Sequence, residues 1–347
     1  MQNINQKRLV ATFCGLVKIK SPSGHEEIFA SFLVNQLKKL GLKTAKDKYG
    51  NVIAKLKGAG KPLVLCCHMD TVAVGPGKEI NPKISKRIIR SDGTTILGAD
   101  NKDSIAAILE MLTVLREKSL THRALELVFT REEEAISKGA RNLDFSLLAG
   151  RDCVISDHCE KYGAIVQGAP YNFQFQATIK GRRVHVKAPE KGVNAIAIAA
   201  AAIGQMPLGR VDRFTTANVA YQIGGLQGTV DSETKKVGEL ALEIRNSVPD
   251  LAIAYGEARG VKREKVEITL QKIKHIFEKT ASKHGGRATF NSRLLAEGYF
   301  LKKNDALIQK IQQIFRAQGV KPFLVQAIGG SDANIFNNRA RRAVVIS

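Results

Sequence analysis

The sequence predicts an α/β protein, a mixed and mostly parallel sheet flanked by helices, interrupted by a compact α+β insertion. Three observations predict it. Short apolar runs alternate with segments whose apolar residues recur at helical spacing, the texture of a parallel sheet with crossover helices. Acidic residues and a histidine stand where those runs end, on the rim where open α/β sheets bind ligands. From Tyr171 the texture changes to alternating, half-exposed strands, and after Tyr299 the helix and strand texture returns. The expected divisions are 1–170 and 294–347 for one domain in two parts, with 171–293 inserted.

In chain order, a helix is expected over 4–19, ended by Ser21-Pro22-Ser23-Gly24. Ser23 and Glu26 read as a capping box for a second helix. In that helix Ile28, Phe29, Phe32, Leu33, Leu37 and Leu40 repeat with a helical period, and Gly41 is the stop. A turn at 47–51 leads into a strand over 52–56. The Gly-Ala-Gly-Lys of the next loop lacks the spacing and the Ser or Thr of a phosphate loop. Lys61-Pro62 then opens Leu63-Val64-Leu65-Cys66-Cys67-His68-Met69-Asp70. This run is too short for a helix and reads as a buried strand, with His68 and Asp70 at its carboxyl end. Gly98-Ala99-Asp100-Asn101-Lys102-Asp103 precedes an amphipathic helix marked by Ile105, Ala106, Ile108, Leu109, Leu112 and Leu115. A strand over 124–130 runs into Arg131-Glu132-Glu133-Glu134, and another over 153–156 ends at Asp157-His158.

Inside the insertion, residues 173–179 alternate as a half-exposed antiparallel strand. An alanine-rich helix over 193–206, strands near 218–223 and 240–245, a long helix over 262–283 and a strand near 288–291 follow. Beyond it come a helix over 304–318 stopped by Gly319, a strand over 323–327, and the turn Gly329-Gly330-Ser331-Asp332. A short helix and a strand over 343–347 complete the first domain.

Each candidate residue has a plain explanation by itself. His68 alone is an ordinary partly buried histidine, Asp100 alone a helix N-cap, and three consecutive glutamates a solvated face. Collectively they call for another. Successive strand ends would gather His68 and Asp70, Asp100, Glu133 and Glu134, and Asp157, and carboxylates a few ångströms apart repel one another. A divalent metal resolves that conflict. An imidazole ligand must also hold its orientation, and a nearby carboxylate such as Asp70 can fix it by accepting the other ring N–H.

Composition bounds the partners. A chain of 347 residues that is 44% hydrophobic can bury real cores in two domains. Its five cysteines are odd in number and show no Cys-x-x-Cys spacing, so buried thiols are expected and a disulfide scaffold is not. The opening residues lack the apolar block of a signal peptide, and no stretch is long enough for a membrane span. A cytoplasmic protein without a membrane partner is expected. The net charge of +22 invites a polyanion. Its lysines and arginines are nevertheless spread along the chain and aromatics are only 6%, so a solvated basic surface is the reading and nucleic acid is not the expected partner.

The stretches Ser21-Pro22-Ser23-Gly24, His68-Met69-Asp70-Thr71-Val72, Gly98-Ala99-Asp100-Asn101-Lys102, Phe129-Thr130-Arg131-Glu132-Glu133-Glu134, Pro189-Glu190-Lys191-Gly192-Val193-Asn194-Ala195-Ile196 and Gly329-Gly330-Ser331-Asp332-Ala333-Asn334 run in order across nearly the whole chain. In that order they resemble the di-zinc metallopeptidase family that includes tripeptidase T, carboxypeptidase G and acetylornithine deacetylase, most closely its peptidase T-like branch. The resemblance implies a zinc-peptidase catalytic domain with an inserted lid that also makes a homodimer. It implies two Zn2+ ions per subunit: His68 and Asp157 on one, Asp100 bridging, and Glu134 on the other. Asp70 would steady His68, and Glu133 would be the general base. His185 matches a lid histidine that reaches across the dimer to the oxyanion, and Arg245 a position that holds the substrate carboxylate. Gly329 and Gly330 fall on the substrate-binding side, and the Asp100–Asn101 peptide is expected to be cis.

The chain also departs from that pattern. The family's last histidine, a ligand of the second zinc, lies a little beyond the strand matching 343–347, and this sequence stops at Ser347, so an incomplete second site is expected. His158, His275 and His284 do not fall at a matching position. Val186-Lys187 replaces an Ala-Gly pair, the gap from His185 to Pro189 is one residue short, and Ile136 and Ala340 stand where glycines are expected. The expected function is a zinc-dependent aminopeptidase of the tripeptidase type, cleaving short peptides. The alternatives are an N-acyl amino acid amidohydrolase on the same scaffold, and a catalytically impaired homologue whose basic surface binds a polyanion.

Overall fold

Apolar residues at helical spacing in the first forty positions produce two helices on one face of a sheet. α1 (Gln6–Lys18) buries Phe13, Leu16 and Val17, and α2 (Glu27–Lys39) buries Phe29, Ala30, Leu33 and Leu37. The Asn5 side chain caps α1 by accepting the Arg8 N–H, and Gly41 supplies the left-handed turn after α2 at φ +86°. The capping box expected from Ser23 and Glu26 does not form: no side chain caps α2. The Ser23 hydroxyl donates to Asp70 Oδ2 at 2.7 Å instead. Glu26, fully buried, accepts the N–H groups of Gly24 and Glu132 and pairs with Arg131 at 2.7 Å. A charged partner and two backbone donors outcompete the helix end for that carboxylate.

The computed structural model describes residues 4–75, 78–157, 161–228, 230–231, 236–237, 246–327 and 329–347. Two compact units divide it, residues 1–167 with 301–347, and residues 168–300. In the first unit, β1 (Lys43–Lys46), β2 (Val52–Leu56) and β3 (Ala59–His68) precede the hairpin of β4 (Lys83–Ser85) and β5 (Ile88–Arg90). Then come α3 (Ala99–Glu117), β6 (Arg123–Thr130), α4 (Lys138–Arg141), β7 (Asp152–Ser156) and β8 (Ala164–Ala169).

The second unit holds β9 (Tyr171–Lys180), α5 (Ala195–Ile203), β10 (Gly209–Asp212) and β11 (Thr215–Gly225). The short ladder of β12 (Val230–Asp231) with β13 (Lys236–Val237) follows, then β14 (Leu251–Gly260), α6 (Arg263–Lys283), β15 (Arg287–Ala296) and β16 (Tyr299–Phe300). Its five-stranded sheet has the order β10-β11-β14-β9-β15, antiparallel throughout. Ala195, Ile198, Ala199 and Ala202 of α5 and Val266, Leu270, Ile273 and Phe277 of α6 pack on one side of it. The strand expected near 240–245 lies outside the described residues. β14 was not expected, although it is central to the sheet.

The chain then supplies α7 (Ala306–Ala317), β17 (Phe323–Gln326), α8 (Asp332–Asn338) and β18 (Arg342–Ile346) to the first unit. Across the main sheet the order is β1-β2-β6-β3-β7-β18-β8. The central β6, β3, β7 and β18 are mutually parallel, and β2 and β8 flank them antiparallel. Buried largely on both faces, the central strands are dominated by apolar residues, although β6 carries the buried Glu126, which accepts the Ala149 and Gly150 N–H groups. α1, α2 and α3 cover one face around Phe29, Leu33, Ile105, Leu127 and Phe129, whereas α7 covers the other around Ile165, Ile308, Ile311 and Val344. Lys102 is fully buried inside the first layer, its Nζ donating to Ile19 O at 2.6 Å and lying 4.6 Å from the centre of the Phe29 ring. Ile19 is the residue just past α1, so the ammonium faces the negative end of that helix.

Candidate metal centre

β6, β3 and β7 run side by side in the same direction, so their carboxyl ends deliver three loops to one edge of the sheet. β3 ends at His68, β6 at Thr130 just before the three glutamates, and β7 at Ser156 just before Asp157. Asp100 arrives from the opposite direction. It does not cap α3; Gly98 is the N-cap, and Asp100 and Asn101 hold non-helical angles within the first turn. The Asp100–Asn101 peptide is cis, as the resemblance implied. Asn101 Nδ2 donates to Ser156 O at 2.6 Å, tying this turn to the end of β7.

His68, Asp100 and Asp157 come together with one ligand atom each, all within 4.8 Å of one another. His68 is 2% exposed, and its Nε2 stands 2.9 Å from Asp100 Oδ1 and 3.6 Å from Asp157 Oδ1. Nδ1 lies 2.9 Å from the Asp70 carbonyl oxygen, which can only accept, so Nδ1 carries the proton and Nε2 is left for a metal. Burial disfavours the imidazolium, yet hydrogen bonds to Asp100, Asp157 and Asp70 outweigh it and hold the His68 pKa well above the ordinary value. Burial raises the pKa of Asp157.

Asp70 does more than orient His68. Its Oδ1 accepts the Glu133 N–H at 2.9 Å, and its Oδ2 accepts the Glu134 N–H at 3.2 Å as well as the Ser23 hydroxyl. The backbone of the glutamate loop is thus pinned to the end of β3. From the other side, Arg131 pairs with Glu26 and Glu27, and Glu132 accepts the Tyr49 hydroxyl and pairs with Lys138. Gly139 closes the loop against Arg131, where a Cβ would collide with the Arg131 carbonyl oxygen. Ile136 and Ala340 hold φ +67° and +52°, the left-handed conformation for which glycine is suited, at the two positions where glycine was expected.

Burial, followed by the charges of Asp332 and Asp157, pushes the Glu133 carboxyl up to about 9. Burial also raises Glu134, which feels His68, Asp100, Asp70 and Asp157 around it. Glu134 stands outside the group of three ligand atoms. Gly329 and Gly330 lie exposed in the loop before α8. His185 is exposed in the second unit, where its Nδ1 accepts the Lys187 N–H at 3.1 Å. Arg245 and His158 lie outside the described residues. Sequence reasoning missed Asp332, read only as part of a turn; its burial, 2% exposed, was the signal that spacing could not carry.

The sequence profile of peptidase family M20/M25/M40 matches residues 64–347. The chain belongs to this family. It is 34% identical over 343 residues to the uncharacterized protein YqjE of Bacillus subtilis, covering 96% of this chain and 87% of that one. It is 27% identical over 304 residues to peptidase T of Vibrio cholerae, covering 70% of this chain and 72% of that one. The crystal structure of aminopeptidase PepT from Bacillus cereus superposes with a TM-score of 0.88 at 35% identity, covering 99% of this chain and 90% of that one. A tripeptidase from Staphylococcus aureus gives 0.87 at 32% identity, with the same coverage. This M20 peptidase is therefore a hydrolase of the metallopeptidase type, in the peptidase T-like branch. No described helix is long and apolar enough to cross a membrane.

Proposed function

We propose that this M20 peptidase is a zinc-dependent aminopeptidase that cleaves tripeptides and other short peptides. The observation that carries the reading is His68 Nε2 aimed with Asp100 and Asp157 at one point beside the pinned glutamate loop. One imidazole nitrogen with carboxylate oxygens is a donor set that suits zinc. His68, Asp100 and Asp157 would hold one ion, with Asp100 shared and Glu134 on a second. When bound, the metal pair supplies a water of lowered pKa and polarises the scissile carbonyl. Asp70 keeps the His68 ring in one tautomer and the glutamate loop in one place. Glu133 takes the proton of the attacking water and returns it to the leaving amine.

In this reading residues 1–170 and 294–347 form the catalytic domain and residues 171–293 a lid that also dimerises, with His185 and Arg245 reading the substrate, Gly329 and Gly330 beside it, and the cytoplasm as its place of action. The support for these parts is the family resemblance. The test is metal content and hydrolysis of a tripeptide panel, with N-acyl amino acids alongside and Glu133→Ala as control. Tripeptide cleavage that needs zinc and falls at least a thousandfold in Glu133→Ala is expected. Equal background rates in the two proteins would remove the proposal, and turnover confined to N-acyl amino acids would replace it with the deacylase.

A further inference from the structure

The first residue of α8 is a carboxylate that neither the metal cluster nor its own helix uses. α8 is capped by Ser331, whose capping box with Asn334 is complete without Asp332. Asp332 is 2% exposed and has no Lys or Arg within ion-pair distance among the described residues. Its Oδ2 accepts the Thr130 hydroxyl at 2.5 Å and lies 4.0 Å from Cys66 Sγ. Its Oδ1 has no hydrogen-bond partner among the described residues. A buried carboxylate so sparsely paired is costly to keep, and each such group calls for an explanation.

Two hydroxyls bracket the loop that presents Glu133, one bonded to Asp332 and the other to Glu133 itself. Thr130 is the last residue of β6, three positions before Glu133. Ser137 stands after the glutamates: its Oγ donates to Glu133 Oε1 at 3.3 Å and its N–H donates to Glu133 O at 2.7 Å. The Asp332 side chain therefore anchors the residue from which the loop that presents Glu133 departs. We propose that Asp332 is a positioning residue, which through the Thr130 hydroxyl fixes the start of the glutamate loop and so holds the Glu133 carboxylate in the one orientation that serves the reaction. This rests on Glu133 being the general base. Asp332 acts from beneath the loop, and its effect falls on turnover.

The experiment compares zinc-loaded full-length variants on a tripeptide, with zinc content and thermal melting measured on the same samples. Asp332→Leu, similar in shape without acceptors, is expected to lower kcat tenfold or more at unchanged KM and zinc content. Ser137→Ala and Thr130→Val are expected to lower kcat at least threefold, and Thr130→Ser, which keeps the hydroxyl, to recover what Thr130→Val loses. In the Asp332→Leu background, Thr130→Val should add no further loss, since both remove the same contact. If Asp332→Leu does not fold, the Thr130→Val and Thr130→Ser pair decides. A kcat within twofold of the parent in the folded variants, or losses that simply multiply, would overturn the proposal. Those results with Glu133→Ala inactive would defeat this inference alone, whereas an active Glu133→Ala would defeat the general-base reading beneath it.

Discussion

Lys102 allows the energetic consequence of one buried charge to be measured. Burial lowers its pKa from 10.5 to about 8, despite the Ile19 carbonyl and the Phe29 ring that favour the ammonium. A lowered lysine pKa means that the unfolded chain binds the proton more tightly than the folded one, so stability rises with pH between the two values. Below pH 8 both states are protonated and the full penalty, about 3 kcal/mol at 1.36 kcal/mol per pH unit, is present. From pH 7.5 to 10 the folded state sheds the proton first, recovering about 2.5 kcal/mol. For a unit of this size that is roughly 5 to 10 °C in melting temperature. Wild type and Lys102→Met, both zinc-loaded so that the acid cluster is clamped in each, are melted across this range. The wild type is expected to gain on the variant by that amount as pH rises. Parallel pH profiles would show that Lys102 is either neutral throughout or not buried in solution, and the argument would fail.

Two other predictions follow from the same site. Because hydrogen bonds to carboxylates hold the His68 pKa above its ordinary value, zinc uptake at this imidazole should release protons; calorimetry in two buffers of different ionisation enthalpy should show that release, and identical apparent enthalpies would refute it. Ile136 and Ala340 hold left-handed backbone and are exposed, so Ile136→Gly and Ala340→Gly should each stabilise the chain by about 1 kcal/mol, read as a higher denaturant midpoint; an unchanged or lower midpoint would contradict the strain.

The parts of the fold that sequence could reveal were those with a strong pattern. β3 was legible because five consecutive apolar or thiol-bearing positions, 63–67, lead to a polar end, and α3 and α6 because their apolar residues keep a helical period. β14 escaped because Ala252, Ala254, Gly256, Ala258 and Gly260 fill its tightly packed positions: a face of small residues carries neither branched nor aromatic signal. Gly256 shows why they are small, since a Cβ there would collide with the Phe175 ring and Asn218 O. The false capping box came from local spacing, which could not anticipate that Arg131 and the Glu132 N–H would claim Glu26 from more than a hundred residues away. At the site, His68, Asp100 and Asp157 were readable because each terminates or begins an element. Asp332 was unreadable because its meaning lies in Thr130, 202 positions earlier.

The placement of β18 has a consequence for how the protein is made. This strand lies between β7 and β8, in the middle of the sheet, although about 190 residues separate it from β7 along the chain. A ribosome adding 5 to 20 residues per second delivers it roughly 10 to 40 s after β7. Throughout that interval β7 presents an open apolar margin to whatever else is nearby in the cell. The vulnerability of the nascent molecule to clumping should therefore grow as translation downstream of Ser156 slows.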